Sequence, residues 1–338
     1  MPTPERPTVL LDPHPRHVDW VFTGADLDRL RTFANVAWGQ DEPVPPEVLD
    51  PLKGELAAII TCRWRYGPVD DLPQLKAILD VAGGPLNRHA LDYAACFRRG
   101  IRVLSAAPAY ARPVAEMALG LAIAAARGVA ESDRLIRAGQ EQYARAGNAR
   151  AFTLYGQPVG LIGYGGVARA LRPLLAPFGC DLRVYDPWLT PAYLAKLGLR
   201  PVELDDLLAG CRIIFVLAIP TSENQYLLDR RRLELIAPEA VFVLVSRAHV
   251  VDFDALVELA AAGRFRAAID VFPAEPLPPE HPVRAAPNTV LTAHLAGHVA
   301  PHVHEIGNMV VNDLEAILAG LPPMEMQVVQ PEIVERLR

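Results

Sequence analysis

Short apolar runs recur along the first third of the chain, at 8-TVLL, 57-AAII, 76-KAIL and 101-IRVL, with helical or turn-rich stretches between them. Runs this short and this rich in branched aliphatic residues predict buried strands, and their alternation with helix predicts βαβ units. A first parallel sheet is therefore expected within roughly the first 105 residues. From Val114 the pattern changes to an apolar helix, 114-VAEMALGLAIAAA-126, which carries Glu116, is followed by Arg127, and is too short to span a bilayer. Residues 127–155 are polar, rich in Arg, Gln and Ala, and read as a helix and an arm. After Gln157 the strand rhythm sharpens, at 158-PVGLI, 182-LRVY, 213-IIFVL, 241-VFVLV, 267-AAID and 289-TVLL. Six such strands with helices between most of them fit one doubly wound sheet. A last helix is expected over 301–320, in a position to return to the first sheet, before a proline-rich tail.

A chain of 338 residues favours two cores over one. With 51% hydrophobic and 21% charged residues the composition is that of a folded globular protein. A net charge of −6 without a basic block argues against nucleic acid or an acidic membrane as partner. Cys62, Cys96, Cys180 and Cys211 show neither C-x-x-C spacing nor a paired framework, which predicts reduced thiols and a cytoplasmic location. The start MPTPERPTVLL has no signal-peptide pattern.

The strand at 158-PVGLI runs into 163-GYGGVAR-169 and then a helix. In such a loop the first glycine permits the turn, the second lets a pyrophosphate approach the backbone at a helix N-terminus, and the third position, here Ala168, serves close packing. The next strand ends at 185-YDP, where Asp186 is placed to accept from the ribose hydroxyls and to repel a 2′-phosphate. Strand, loop, helix and acid in register point to NAD. Ligands of such sheets bind outside the carboxyl ends of the strands. Three polar side chains leave consecutive strands there: Arg247 after VLVS, Asp270 after AAI and His294 after VLTA. Glu275 hangs from the loop between the last two, among Pro273, Pro276, Pro278 and Pro279.

With these residues the chain resembles the D-isomer-specific 2-hydroxyacid dehydrogenases, the family that includes phosphoglycerate dehydrogenase. The stretch 246-SRAHVVDFDAL-256 is similar to the family's S-R-G-x-x-V-D-x-x-A-L, 270-DVFPAEPLP-278 to D-V-F-x-x-E-P-L-P, and 292-TAHLAG-297 to T-P-H-x-A-G. Upstream, 113-PVAEMALGLAIAAAR-127 looks like the helix that joins the two domains, and 154-LYGQPVGLIGYG-165 like the entry to the nucleotide domain. The resemblance implies an α/β fold of two Rossmann-like or flavodoxin-like doubly wound parallel-sheet domains with a cleft between them. Residues 1–107 plus 298–338 would form the substrate domain and 108–297 the NAD-binding domain. It implies that Arg247 binds the substrate carboxylate and carbonyl, that His294 is the acid/base and that Glu275 is its partner. The implied nucleotide site comprises Tyr164, Gly165, Gly166, Val167, Asp186, Pro187, Ile219, Pro220, Val245, Ser246, Arg247, Asp270, His294 and Gly297. Ala82, Gly83 and Gly84 resemble the loop that receives the substrate carboxylate. The region 113–150, the long apolar helix and the arm after it, resembles the one through which family members form a two-fold homodimer, and no regulatory domain of the longer phosphoglycerate dehydrogenases is expected.

Reducing a 2-oxo acid needs a hydride, which NADH supplies, a proton for the forming alkoxide and a cation for the carboxylate. Histidine is suited to the proton, a carboxylate on its other nitrogen orients it, and an arginine fork matches a carboxylate. Asp270 either sits near the nicotinamide or only caps the segment that follows it. Several positions depart from the family pattern: Leu244 replaces a frequent Asn, Ala248 a usual Gly, and Ala106 and Ala109 the Asn and Gly of N-x-P-G. Ala218 and Ser222 weaken H-x-P-L-T. No catalytic group is lost, but the substrate stays open. A phosphite-type dehydrogenase of the same fold and a non-catalytic NAD(H)-sensing protein of the corepressor kind are the alternatives. Formate dehydrogenase is disfavoured, because it pairs Gln with His where this chain has Glu275. His298, His302 and His304 have no acid or Cys to complete a ligand set, so no metal is expected. Trp64 and Tyr110 either shape the substrate pocket or pack in the core.

Overall fold

The computed structural model describes residues 6–84 and 86–336. Its strands, in chain order, are β1 (Thr8–Asp12), β2 (Asn35–Trp38), β3 (Leu56–Thr61), β4 (Ala77–Asp80), β5 (Arg102–Ser105), β6 (Pro158–Ile162), β7 (Asp181–Tyr185), β8 (Arg200–Pro201), β9 (Ile213–Val216), β10 (Val241–Leu244), β11 (Arg266–Ile269), β12 (Thr289–Leu291) and β13 (Gln327–Val328). The described residues fall into two compact units, one up to Tyr110 together with the chain from His298 onward, the other Ala111–Gly297.

In the first unit the strand order is β13-β5-β4-β3-β1-β2, parallel throughout except for the antiparallel β13. The parallel part, 2-1-3-4-5, is the flavodoxin-like winding. The helix Ala300–Leu318 lies on this sheet, burying Val303, Ile306 and Val310 in one cluster with Val9, Leu11 and Ile60. Gly307 makes that docking possible, since a Cβ there would lie 2.4 Å from the Val21 carbonyl oxygen. The expected return of the last helix to the first sheet is what the chain does.

In the second unit the order is β12-β11-β10-β9-β6-β7-β8, all parallel. Counted from β6 this is 3-2-1-4-5-6 with one further strand, the doubly wound dinucleotide-binding order. Alternate side chains feed the two layers: Val241 and Val243 pack on one face of the sheet, Phe242 and Leu244 on the other. A strand buried on both faces must be apolar at every position, which is why these runs are continuous in the sequence.

Three strands lie outside the expected set: β2, β8 and β13. All are sheet edges, two are only two residues long and one contains a proline, so none needs an apolar run. The long helix also begins earlier than its apolar pattern, at Ala107, because Pro113 inside it interrupts the signal. Leu244, Ala248, Ala106 and Ala109, four of the departures from the family pattern, are all buried in cores. Among the described residues no single helix is long and apolar enough to cross a membrane; Ala107–Arg127 and Val129–Arg137 pass only as a pair bent by 59°.

Candidate active site

The site is built from the turns that follow each strand of the second sheet. Gly163, after β6, has φ +90°, which glycine adopts without a steric penalty. A Cβ on it would lie 2.8 Å from the Ala218 backbone nitrogen, so the turns after β6 and β9 touch where the strand order reverses. Gly165 precedes the helix Gly166–Leu175, whose N-terminus has no side-chain cap among the described residues and no acid in its first turn. A Cβ at Gly165 would meet no atom within 4 Å. Exposed backbone N–H groups and the positive end of the helix thus face an open concave loop, which fits a pyrophosphate. Ala168 packs into the core, in the role expected of it.

Asp186 follows β7. One of its oxygens accepts from the Tyr164 N–H at 2.7 Å and the other from the Trp188 N–H at 2.9 Å. Each carboxylate oxygen has a further lone pair, so Asp186 shapes the glycine loop and can still accept from a ribose hydroxyl. Pro187 is exposed beside it, and Val167 is half-buried. After β9, Ile219 is 48% exposed, and Asn224 fastens the turn by donating to the Ile219 carbonyl and accepting from the Thr221 N–H, both at 2.7 Å. After β10, Val245 is buried, and the Ser246 hydroxyl is buried without a partner among the described residues. A bound polar ligand would satisfy it. These features fit a dinucleotide.

Arg247, Asp270 and His294 follow the neighbouring strands β10, β11 and β12 at the same edge. Arg247 is exposed and donates to its neighbour's carbonyl, Ser246 O, at 2.7 Å. His294 Nδ1 donates to Glu275 Oε2 at 2.6 Å, and Glu275 Oε1 accepts from the Phe272 N–H at 3.0 Å. Burial alone pushes the Glu275 carboxyl up, but the bonds from His294 and Phe272 and the charges of His294 and Arg247 outweigh it, and the group is held below the usual carboxylate range.

His294 adopts φ +54°, the left-handed region that costs a residue with a β-carbon roughly 1 kcal/mol. Asp270 holds it there. Its backbone carbonyl accepts from the His294 N–H at 2.8 Å. Its side chain, fully buried, accepts at Oδ1 from the Thr292 hydroxyl (2.6 Å) and the Leu295 N–H (2.9 Å), and at Oδ2 from the Ala296 N–H (3.2 Å). Of the two roles open to Asp270 from the sequence, the geometry carries the second in an extended form: it straps the segment on both sides of the histidine. Gly297, just beyond, is buried.

Ala82, Gly83 and Gly84 belong to the first unit, after β4. Gly83 has φ +95°, and neither its N–H nor that of Gly84 has a hydrogen-bond partner among the described residues. Trp64 packs in the core with its indole N–H on the Gly67 carbonyl at 2.9 Å, whereas Tyr110 lies against Gly83. Asn224, Thr292, Asp80 and Arg16 were not singled out from the sequence. Thr292 sits inside the T-A-H motif, and Asp80 ends an apolar run as Asp270 does, so both carried a usable signal; Asn224 and Arg16 carried none.

The fold and the glycine loop define a dinucleotide-binding α/β protein. Residues 119–296 match the family model described as D-isomer specific 2-hydroxyacid dehydrogenase, NAD binding domain. The chain is 32% identical to D-3-phosphoglycerate dehydrogenase of Mycobacterium leprae over 73% of this chain and 46% of that protein. It thus spans about half the length of the phosphoglycerate dehydrogenases it matches. It is 29% identical to a glyoxylate reductase of Thermofilum pendens, over 91% of this chain and 92% of the relative. Among solved structures, a phosphoglycerate oxidoreductase from Rhizobium etli superimposes with a TM-score of 0.83 at 34% identity, covering 96% of this chain and 99% of the other. The protein belongs to the D-isomer-specific 2-hydroxyacid dehydrogenase family.

Proposed function

We propose that this protein is an NAD-dependent oxidoreductase that interconverts a 2-oxo acid and the corresponding 2-hydroxy acid. The observation that supports it most directly is the His294–Glu275 pair, 2.6 Å apart, carried beside Arg247 on the sheet edge that also bears the glycine loop. Bound NADH supplies a hydride to C2 of the oxo acid. Arg247 binds the carboxylate through its planar fork and polarises the carbonyl. His294 gives the proton from Nε2 to the carbonyl oxygen, and takes it back in the oxidative direction. Glu275 on Nδ1 keeps the ring oriented. The loop Tyr164–Val167 holds the pyrophosphate, Asp186 selects NAD over NADP, and Ala82–Gly84 receive the substrate carboxylate.

In this reading the first unit is the substrate domain and the second the nucleotide domain. The helix Val129–Arg137 has no buried residue, and Val129, Ile136 and Tyr143 are exposed, which supports a homodimer through this arm. All four cysteines are free, which supports a reducing, cytoplasmic setting. The test is NADH oxidation by purified protein against a panel of 2-oxo acids that includes glyoxylate, pyruvate and 3-phosphonooxypyruvate. Turnover that is lost in His294→Ala supports the reading. Phosphite-dependent NAD reduction without any oxo-acid activity would replace it with a phosphite dehydrogenase, and NADH binding without turnover on either would replace it with a sensor.

A further inference from the structure

We propose that Arg16, Tyr110 and Asp80 form a second anion subsite around the Ala82–Gly84 loop, which binds a carboxylate or phosphate carried on the substrate's carbon chain beyond its 2-oxo acid end. The proposal rests on the oxidoreductase reading and narrows its substrate class.

Three side chains from separate stretches of the first unit meet at this loop. Arg16 Nη2 donates to the Ala82 carbonyl at 3.2 Å, and Asp80 Oδ1 accepts from the Ala82 N–H at 2.7 Å. The Tyr110 ring lies so close to Gly83 that a Cβ there would be 2.4 Å from its Cε2, and the Arg16 guanidinium stands 5.5 Å over the same ring. Each side chain also presents a polar atom that is buried and without a partner among the described residues: Arg16 Nη1, the Tyr110 hydroxyl and Asp80 Oδ2. Asp80 is only 1% exposed. Buried polar atoms are nearly always hydrogen-bonded, so three orphans at one loop mark a place built for a polar ligand.

The sign of that ligand follows from the donors. Burial pushes the Asp80 carboxyl up to about 8, against the lowering effects of the Ala82 N–H and the Arg16 charge, so near neutrality it is largely protonated and donates. Burial likewise raises the Tyr110 hydroxyl, against both the charge and the close approach of the Arg16 side chain, and keeps it a donor. Arg16 is a cation. All three orphans therefore suit an oxyanion. The amides of Gly83 and Gly84 already offer one N–H to each oxygen of a carboxylate. The three side-chain donors exceed what that group needs, and a second acidic group uses them.

The test compares 2-oxoglutarate and 3-phosphonooxypyruvate with pyruvate and glyoxylate in the wild type, Arg16→Met and Tyr110→Phe. The wild type should favour the doubly acidic substrates in kcat/KM. Arg16→Met should lower the ratio of doubly to singly acidic kcat/KM by about 10- to 100-fold, mainly through KM, as expected for losing a charge-assisted bond. Tyr110→Phe, which keeps the ring against Gly83, should lower it by about 3- to 10-fold. A ratio unmoved within threefold in Arg16→Met overturns the subsite. If the wild type reduces no 2-oxo acid, the oxidoreductase reading fails separately, and calorimetric titration with inorganic phosphate and with succinate decides the subsite. Binding by the wild type that Arg16→Met loses sustains it; no binding by the wild type overturns it.

Discussion

Replacing Asp270 with asparagine should loosen the segment that carries His294 while leaving the sheet intact. The wild-type carboxyl accepts three hydrogen bonds, from Thr292, Leu295 and Ala296. An asparagine that keeps its oxygen toward Thr292 and Leu295 turns its NH2 toward the Ala296 N–H, a donor against a donor. The flipped rotamer loses two acceptors instead of one. In the better case one bond to a charged acceptor is lost and a buried N–H is left unpaired, about 1.5–3 kcal/mol. That loss raises the open population of the segment by about 10- to 150-fold. Native-state amide exchange at His294, Leu295 and Ala296 should quicken by that factor, with the amides of β10 and β11 unchanged. Turnover should fall with it, since displacement of the acid/base by about 1 Å costs on the order of 10²-fold. Exchange at Leu295 and Ala296 that stays within threefold of wild type would refute the strap.

The remaining expectations concern the pair, the cofactor and the assembly. His294→Ala should cut turnover by about 10²- to 10⁴-fold, and Glu275→Gln by less, because the imidazole remains but is less well held. Glu275 is held below its ordinary value of 4.5, so the stability its carboxylate contributes is fully present above that pH and is lost as pH falls through the lower folded value; carbon-detected NMR of its carboxyl should show a midpoint under 4.5. NADH should bind at least about tenfold more tightly than NADPH, and Asp186→Ser should narrow the gap; equal affinities in the wild type would remove Asp186 from cofactor selection. Sedimentation at micromolar concentration should give about twice 36.8 kDa, and a monomer would leave the exposed helix Val129–Arg137 without its proposed partner.

The sequence by itself determined the central strands, because a parallel strand covered on both faces has to be apolar throughout, and runs such as 241-VFVLV carry that requirement locally. The glycine loop and Asp186 were legible for the same reason: a tight turn, a helix N-terminus and an acid at the next strand end are all local features. Arg247, Asp270 and His294 are assigned to one edge by the sequence itself, since parallel neighbours necessarily end on the same side. Edge strands β2, β8 and β13 were not legible, because an edge need not be buried and tolerates polar residues and proline. Only the tertiary structure decided what the side chains at these places do. That Asp270 is a fully buried strap depends on where Thr292, Leu295 and Ala296 fall after the next strand. That Arg16, Asp80 and Tyr110 converge on Gly83 depends on β1, β4 and the start of the long helix meeting in one unit. A hydrogen-bonding group is satisfied or orphaned by whatever packs around it, and for residues so far apart in the chain that outcome exists only once the chain has folded.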